Sequence, residues 1–145
     1  MFPLPRLLVV SILLASGVSL RAAESLSVAA AANFVYAIDA LLAEFKRSAP
    51  GVVVTCTTGA SGSLFAQVKN GAPFDVFLSA DTEYPGQLVA AGLGDPTTLR
   101  TFATGRLVLW TTRPDLDVSN PAAAVRSPLV RKLALAQPRF APYGR

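Results

Sequence analysis

Gly71-Ala72-Pro73-Phe74-Asp75-Val76-Phe77-Leu78-Ser79-Ala80-Asp81 is the stretch whose reading decides the fold of this chain. Gly-Ala-Pro makes a turn, residues 76–78 form a short buried strand, and Asp81 is a natural N-cap for a helix reaching about residue 91. Gly92-Leu93-Gly94-Asp95-Pro96 breaks that helix. Just upstream, the β-branched run 52–57 reads as a strand. The small-residue turn 59–62 comes next, then a short helix over residues 63–70 with Leu64, Phe65 and Val68 inward, stopped at Gly71. Further upstream, residues 26–30 are short and apolar, and Asn33 can cap the helix after them. Phe34, Ala37, Ile38, Leu41, Leu42 and Phe45 recur at three- and four-residue spacing, which predicts an amphipathic helix ended by Ala49-Pro50-Gly51.

Strand and helix alternate three times at this spacing, which predicts an α/β fold with a parallel sheet and helices on both faces. Ligands of such open sheets sit at the carboxyl ends of the strands, where the motifs at Asn33 and Ser61 lie. Beyond residue 100, the pattern predicts a strand at 107–111, a turn at Arg113-Pro114-Asp115, a short helix opened by Asn120-Pro121, and a strand at 133–136. The sequence then runs through Gln137 to Arg145 into a loop that should open another helix, so the chain reads as a fragment.

The chain has 145 residues, of which 52% are hydrophobic and only 15% charged, which argues against disorder. Part of the apolar excess lies at the start. Arg6, an apolar run over residues 7–15 and a small-residue end read as a secretory signal peptide over residues 1–23, with cleavage near Ala22 or Ala23. The run is too short to span a bilayer. Removing it takes out Arg6 and Arg21 and no acid, so the formal charge falls from +4 to +2. No Lys/Arg block with interleaved aromatics remains, which speaks against nucleic-acid binding. Cys56 is the only cysteine and lies in an apolar strand pattern, as a small buried residue would.

Read one at a time, the polar residues have ordinary roles as well as functional ones. Asn33 is a helix cap or a ligand donor. Ser61 and Ser63 suit a turn and a cap, and Tyr143 suits a structural aromatic. Asp75 and Asp81 would serve as a metal or acid–base pair, but one flanks a buried strand and the other caps a helix.

Three segments in order, 28–33, 58–64 and 71–81, resemble those of the periplasmic molybdate-binding proteins that feed ABC importers. The resemblance covers nearly all of residues 24–145. Ala30-Ala31-Ala32-Asn33-Phe34 is similar to that family's first oxyanion loop, and Gly59-Ala60-Ser61-Gly62-Ser63-Leu64 to its second. Pro142-Tyr143-Gly144 is similar to a loop where the second lobe contributes a donor. The stretch 72–81 corresponds to scaffold. The resemblance therefore implies a periplasmic-binding-protein-like (type II) two-lobe fold, with residues 24–104 as lobe 1 and 105–145 as the start of lobe 2. It implies Asn33, Ser61 and Tyr143 as oxyanion ligands, with Ala32 and Gly62 as backbone candidates. The ligand would be molybdate or tungstate, with molybdenum bound only as the oxyanion and no cofactor. The partners would be the membrane permease subunits of an ABC transporter, and the protein a periplasmic monomer without enzymatic activity.

The chemistry is coherent. Helix N-termini offer free N–H groups and a favourable dipole to an anion. Hydroxyl and amide donors add charge-assisted bonds of roughly 1.5–3 kcal/mol each. Other readings are weaker. Gly59-Ala60-Ser61-Gly62-Ser63 lacks the final Gly of a serine-hydrolase elbow, and the chain holds no histidine to act as base. Neither a P-loop nor a G-x-G-x-x-G occurs. The same fold could instead carry sulfate, ferric ion or a small organic anion, although Tyr36, Tyr84 and Tyr143 suggest no ferric cluster. A truncated chain without transport function is the remaining alternative.

Overall fold

A computed structural model describes residues 24–145 of the protein. The proposed signal peptide at 1–23 lies outside the described residues. Three parallel strands, β1 (Glu24–Ala31), β2 (Val52–Gly59) and β3 (Val76–Leu78), form one sheet in the order β2-β1-β3. The helices α1 (Ile38–Ser48), α2 (Ser61–Lys69) and α3 (Glu83–Ala90) alternate with them. The register sets Ala31 beside Gly59 and Ala30 beside Leu78, so all three strands end on the same side.

The central strand is the alanine-rich one, and its alternation buries both faces. Val28 and Ala30 cluster with Ile38 of α1, and Leu26, Val54, Cys56, Val76 and Leu78 pack around them. Ala29 and Ala31 point the other way and are also buried. Helix α2 packs against β1 and α3 against α2. Leu64 and the Phe65–Tyr84 ring pair, 4.9 Å between centroids, fill that second layer. Small side chains in a strand covered on both sides let the helices sit close.

Both glycine stops share one design. Gly71 at φ 85° lets its N–H reach the Val68 carbonyl at 2.9 Å, while Ala72 N–H reaches Gln67 at 2.9 Å. Gly92 at φ 71° does the same for α3, with Gly92 N–H on Val89 and Leu93 N–H on Leu88. These are Schellman caps, whose left-handed residue favours Gly.

Asp75 has a purely structural partner. Its Oδ2 accepts from Ser27 N–H at 2.7 Å, and its own N–H donates to Ser27 O at 2.8 Å. This reciprocal pair pins the start of β3 onto β1. Asp81 caps α3 from one residue outside the N-cap position Thr82, accepting from Tyr84 N–H at 3.2 Å. Asn120 caps the short helix α4 (Pro121–Ala124) by accepting from Ala123 N–H at 3.1 Å.

Three expectations are corrected. The long helix does not start at Asn33: a 3₁₀ turn (Ala32–Phe34) and a bend intervene, and α1 begins at Ile38. Val35 and Ala37 close local turns onto Ala32 and Phe34, so Asn33 has no helix end to cap and its side chain is released. Phe34 and Leu42 still pack on the core with Ile38, whereas Leu41 is exposed. The strands expected at 107–111 and 133–136 are not formed. Leu107, Val108, Trp110, Leu133 and Leu135 are exposed there. Strand propensity reflects fit to a pleated, half-buried surface, and these segments have no such surface.

Cys56 sits on the inward face of β2 and is half-buried. Burial pushes its thiol pKa up, and the nearby Asp39 carboxylate pushes it further. A thiol with little thiolate is a poor nucleophile. Cys56→Ser is therefore expected to leave ligand affinity unchanged by calorimetry. A large loss would mean that this strand is tied to the site.

Candidate functional site

The carboxyl ends of all three strands open onto one cavity of ≈ 210 Å³. Ala31, Ala32 and Asn33 lie at the end of β1, Ala60 and Ser61 just past β2, and Ala80 just past β3. The opposite wall is supplied by Ala136, Ala141, Pro142 and Tyr143 from the far end of the chain. No lining residue is charged. The space is smaller than the about 300–1,000 Å³ of pockets for drug-sized molecules, which suits a small ligand.

Ser61 is the first residue of α2 and is only 1% exposed. Its Oγ accepts from the Ala80 N–H at 3.0 Å. A hydroxyl carries one donor and two acceptor sites, so with the backbone N–H occupying an acceptor site its proton is free to donate into the cavity. The N-terminal turn of a nine-residue helix adds a favourable dipole at the same point.

Asn33 and Tyr143 meet across the cavity. The Asn33 Nδ2 donates to the Tyr143 hydroxyl at 3.4 Å, a long bond that an incoming acceptor would compete with. The Tyr143 hydroxyl also lies against Gly105, where any Cβ would overlap it. Gly105 thus leaves room for the phenol.

Of the residues expected at a site, the structure brings Asn33, Ser61, Tyr143 and Ala32 to one cavity. Gly62 stands apart. Its N–H donates to the Phe140 carbonyl at 2.9 Å, and it does not line the cavity. The helix N-terminus is thus shared, with Gly62 gripping the chain segment that carries Tyr143. Taking the 72–81 stretch as scaffold alone overlooks Ala80, which both lines the cavity and holds Ser61. The signal was available: β3 ends on the same side as β1 and β2, so the loop after it belongs to the same rim.

A larger groove of ≈ 530 Å³ runs between β3, α3 and residues 93–102. It contains none of Asn33, Ser61 and Tyr143, and its walls are mostly apolar. Among the described residues no group of three His, Cys, Asp or Glu side chains is placed to hold a metal ion. Asp75 and Asp81 both border that larger groove, and each carboxylate is engaged by a backbone N–H, Ser27 for Asp75 and Tyr84 for Asp81.

Comparison with known proteins bears on this geometry. Residues 26–145 match the family model described as "Bacterial extracellular solute-binding protein". The chain is 35% identical over 145 residues to the molybdate-binding protein ModA of Azotobacter vinelandii, covering 99% of this chain and 56% of that one. It is 39% identical over 132 residues to ModA of Rhodobacter capsulatus, covering 90% and 51%. The solved Azotobacter vinelandii periplasmic molybdate-binding protein superposes with a TM-score of 0.72 at 38% identity, over 82% of this chain and 51% of that one. The fold is thus that of a periplasmic binding protein, and the chain spans about half the length of the curated relatives it matches.

Proposed function

The chain belongs to the bacterial extracellular solute-binding protein family, and on that premise we propose that it captures molybdate and delivers it to the permease of an ABC importer. The observation that carries this reading is the uncharged cavity at the strand ends, where Asn33, Ser61 and Tyr143 converge. The relatives' names supply the ligand class. Neutral donors suit a tetrahedral dianion that never needs to be neutralised, only hydrogen-bonded in a dry space. Tungstate, of the same shape and charge, is a second ligand of the same site.

In this reading Asn33, Ser61 and Tyr143 are the ligand donors, with the Ala32 backbone N–H in support. Residues 24–104 act as the first lobe and 105–145 as the start of the second. Binding draws the lobes together, and the closed form is what the permease recognises. The protein works as a periplasmic monomer, exported by residues 1–23, and catalyses no reaction.

Titration calorimetry of the full-length gene product tests this. Molybdate should give saturable binding and sulfate weaker binding. Phosphate near neutral pH should bind more weakly than molybdate, because its protonated oxygen is a poor acceptor for the donors that molybdate would engage on all sides. Saturable binding of an organic anion with no response to molybdate would overturn the assignment. Asn33→Ala removes one donor from an exposed part of the rim and is expected to weaken molybdate binding at least tenfold, about 1.4 kcal/mol. Unchanged affinity would remove Asn33 from the site.

A further inference from the structure

Residues 137–145 lie over the N-terminal ends of α2 and α3 like a strap, and Arg145 fastens it to α3. Arg145 Nη1 donates to Glu83 Oε2 at 2.6 Å, and Nη2 donates to Asp81 Oδ2 at 3.2 Å. Its guanidinium also stacks 5.0 Å from the centre of the Tyr84 ring. Isolated surface ion pairs are weak. Here one planar fork engages two carboxylates and an aromatic face together, and the Asp81 side chain is only 20% exposed. Two residues back, Tyr143 reaches Asn33, and five back, the Phe140 carbonyl takes the Gly62 N–H.

We propose that Arg145 is a positioning residue for the oxyanion site: by anchoring the strap to Asp81, Glu83 and Tyr84 it holds the Tyr143 hydroxyl over the cavity. The inference rests on the molybdate reading for its ligand but not for its geometry. Arg145 does not line the cavity, so it acts through Tyr143 and not on the anion. The fit at Gly62 shows how tightly the strap sits. A Cβ there would come within 2.6 Å of the Tyr84 hydroxyl and 3.1 Å of the Phe140 carbonyl. The same tyrosine therefore meets the guanidinium on its ring and the strap's landing point at its hydroxyl.

Two readouts test the proposal on the full-length protein. Hydrogen exchange at the Gly62 amide needs no ligand. In Arg145→Ala it should quicken about tenfold while amides inside α2, at Phe65 to Val68, stay as protected as before. Molybdate affinity should fall about fivefold, and the same substitution should cost nothing further in a Tyr143→Phe background. Arg145→Lys reaches one carboxylate without the fork and should recover part of both effects. If Arg145→Ala fails to fold, Glu83→Gln weakens the same anchor and should move both readouts in the same direction. Unchanged Gly62 exchange overturns the strap. An affinity loss that persists undiminished beside Tyr143→Phe overturns the route through Tyr143. Absence of molybdate binding in the unmodified protein would refute the ligand instead, leaving the exchange result to decide the strap alone.

Discussion

Ser61→Ala is expected to weaken molybdate binding of the full-length protein by tenfold to a hundredfold, about 1.4–2.8 kcal/mol. The lost hydroxyl is buried, so its bond to an anion would be made in a dry space where no water replaces it. The substitution acts twice. It removes the donor, and it strips the Ala80 N–H of its acceptor, which loosens the loop after β3 that forms part of the rim. An unpaired backbone N–H in a half-buried place costs stability as well, toward the lower end of about 1–3 kcal/mol. Calorimetric titration and a urea melt would separate the two effects. Ser63→Ala is the control: Ser63 lies two residues further along α2, outside the cavity, and its change should leave affinity alone. Equal affinities for wild type and Ser61→Ala would remove the helix N-terminus from the binding site.

Leu64→Ala should be the most damaging single truncation for the fold, costing about 2–5 kcal/mol. Leu64 is 1% exposed and is the largest fully buried side chain among the described residues. Its side-chain carbons lie 3.5 Å from where a Cβ on Gly59 would stand, so the strand end and the helix close on each other there. Removing it leaves a void beneath the very turn that presents Ser61. The urea midpoint should drop sharply, whereas Leu41→Ala, at a position 52% exposed, should change stability by no more than about 0.5 kcal/mol. A small effect from Leu64→Ala would show that α2 is held by something other than this contact.

Legibility varied along the chain for physical reasons. Elements whose signals are local were readable: the glycine stops at 71 and 92, the cap at Asn120, the β-branched run of β2 and the short apolar β3. Each depends on backbone freedom or on side chains within a few residues. Where a signal needed a distant partner, reading failed. The apolar alternation at 107–111 and 133–136 predicts strands, yet no sheet neighbour meets them among the described residues. Asn33 looked like a helix cap because capping is a local pattern, but its side chain is taken by Tyr143, 110 residues away.

The sequence by itself determined the α/β alternation, the side of the sheet on which a ligand would sit, and the uncharged, donor-bearing character of Asn33, Ser61 and Tyr143. Those follow from residue type and short-range spacing. Only the tertiary structure decided that Gly62 grips Phe140, that Ala80 completes the rim and braces Ser61, and that Arg145 anchors the strap to α3. These contacts join segments separated by 19 to 78 positions in the chain, and no local propensity encodes which distant backbone group will arrive to satisfy a donor.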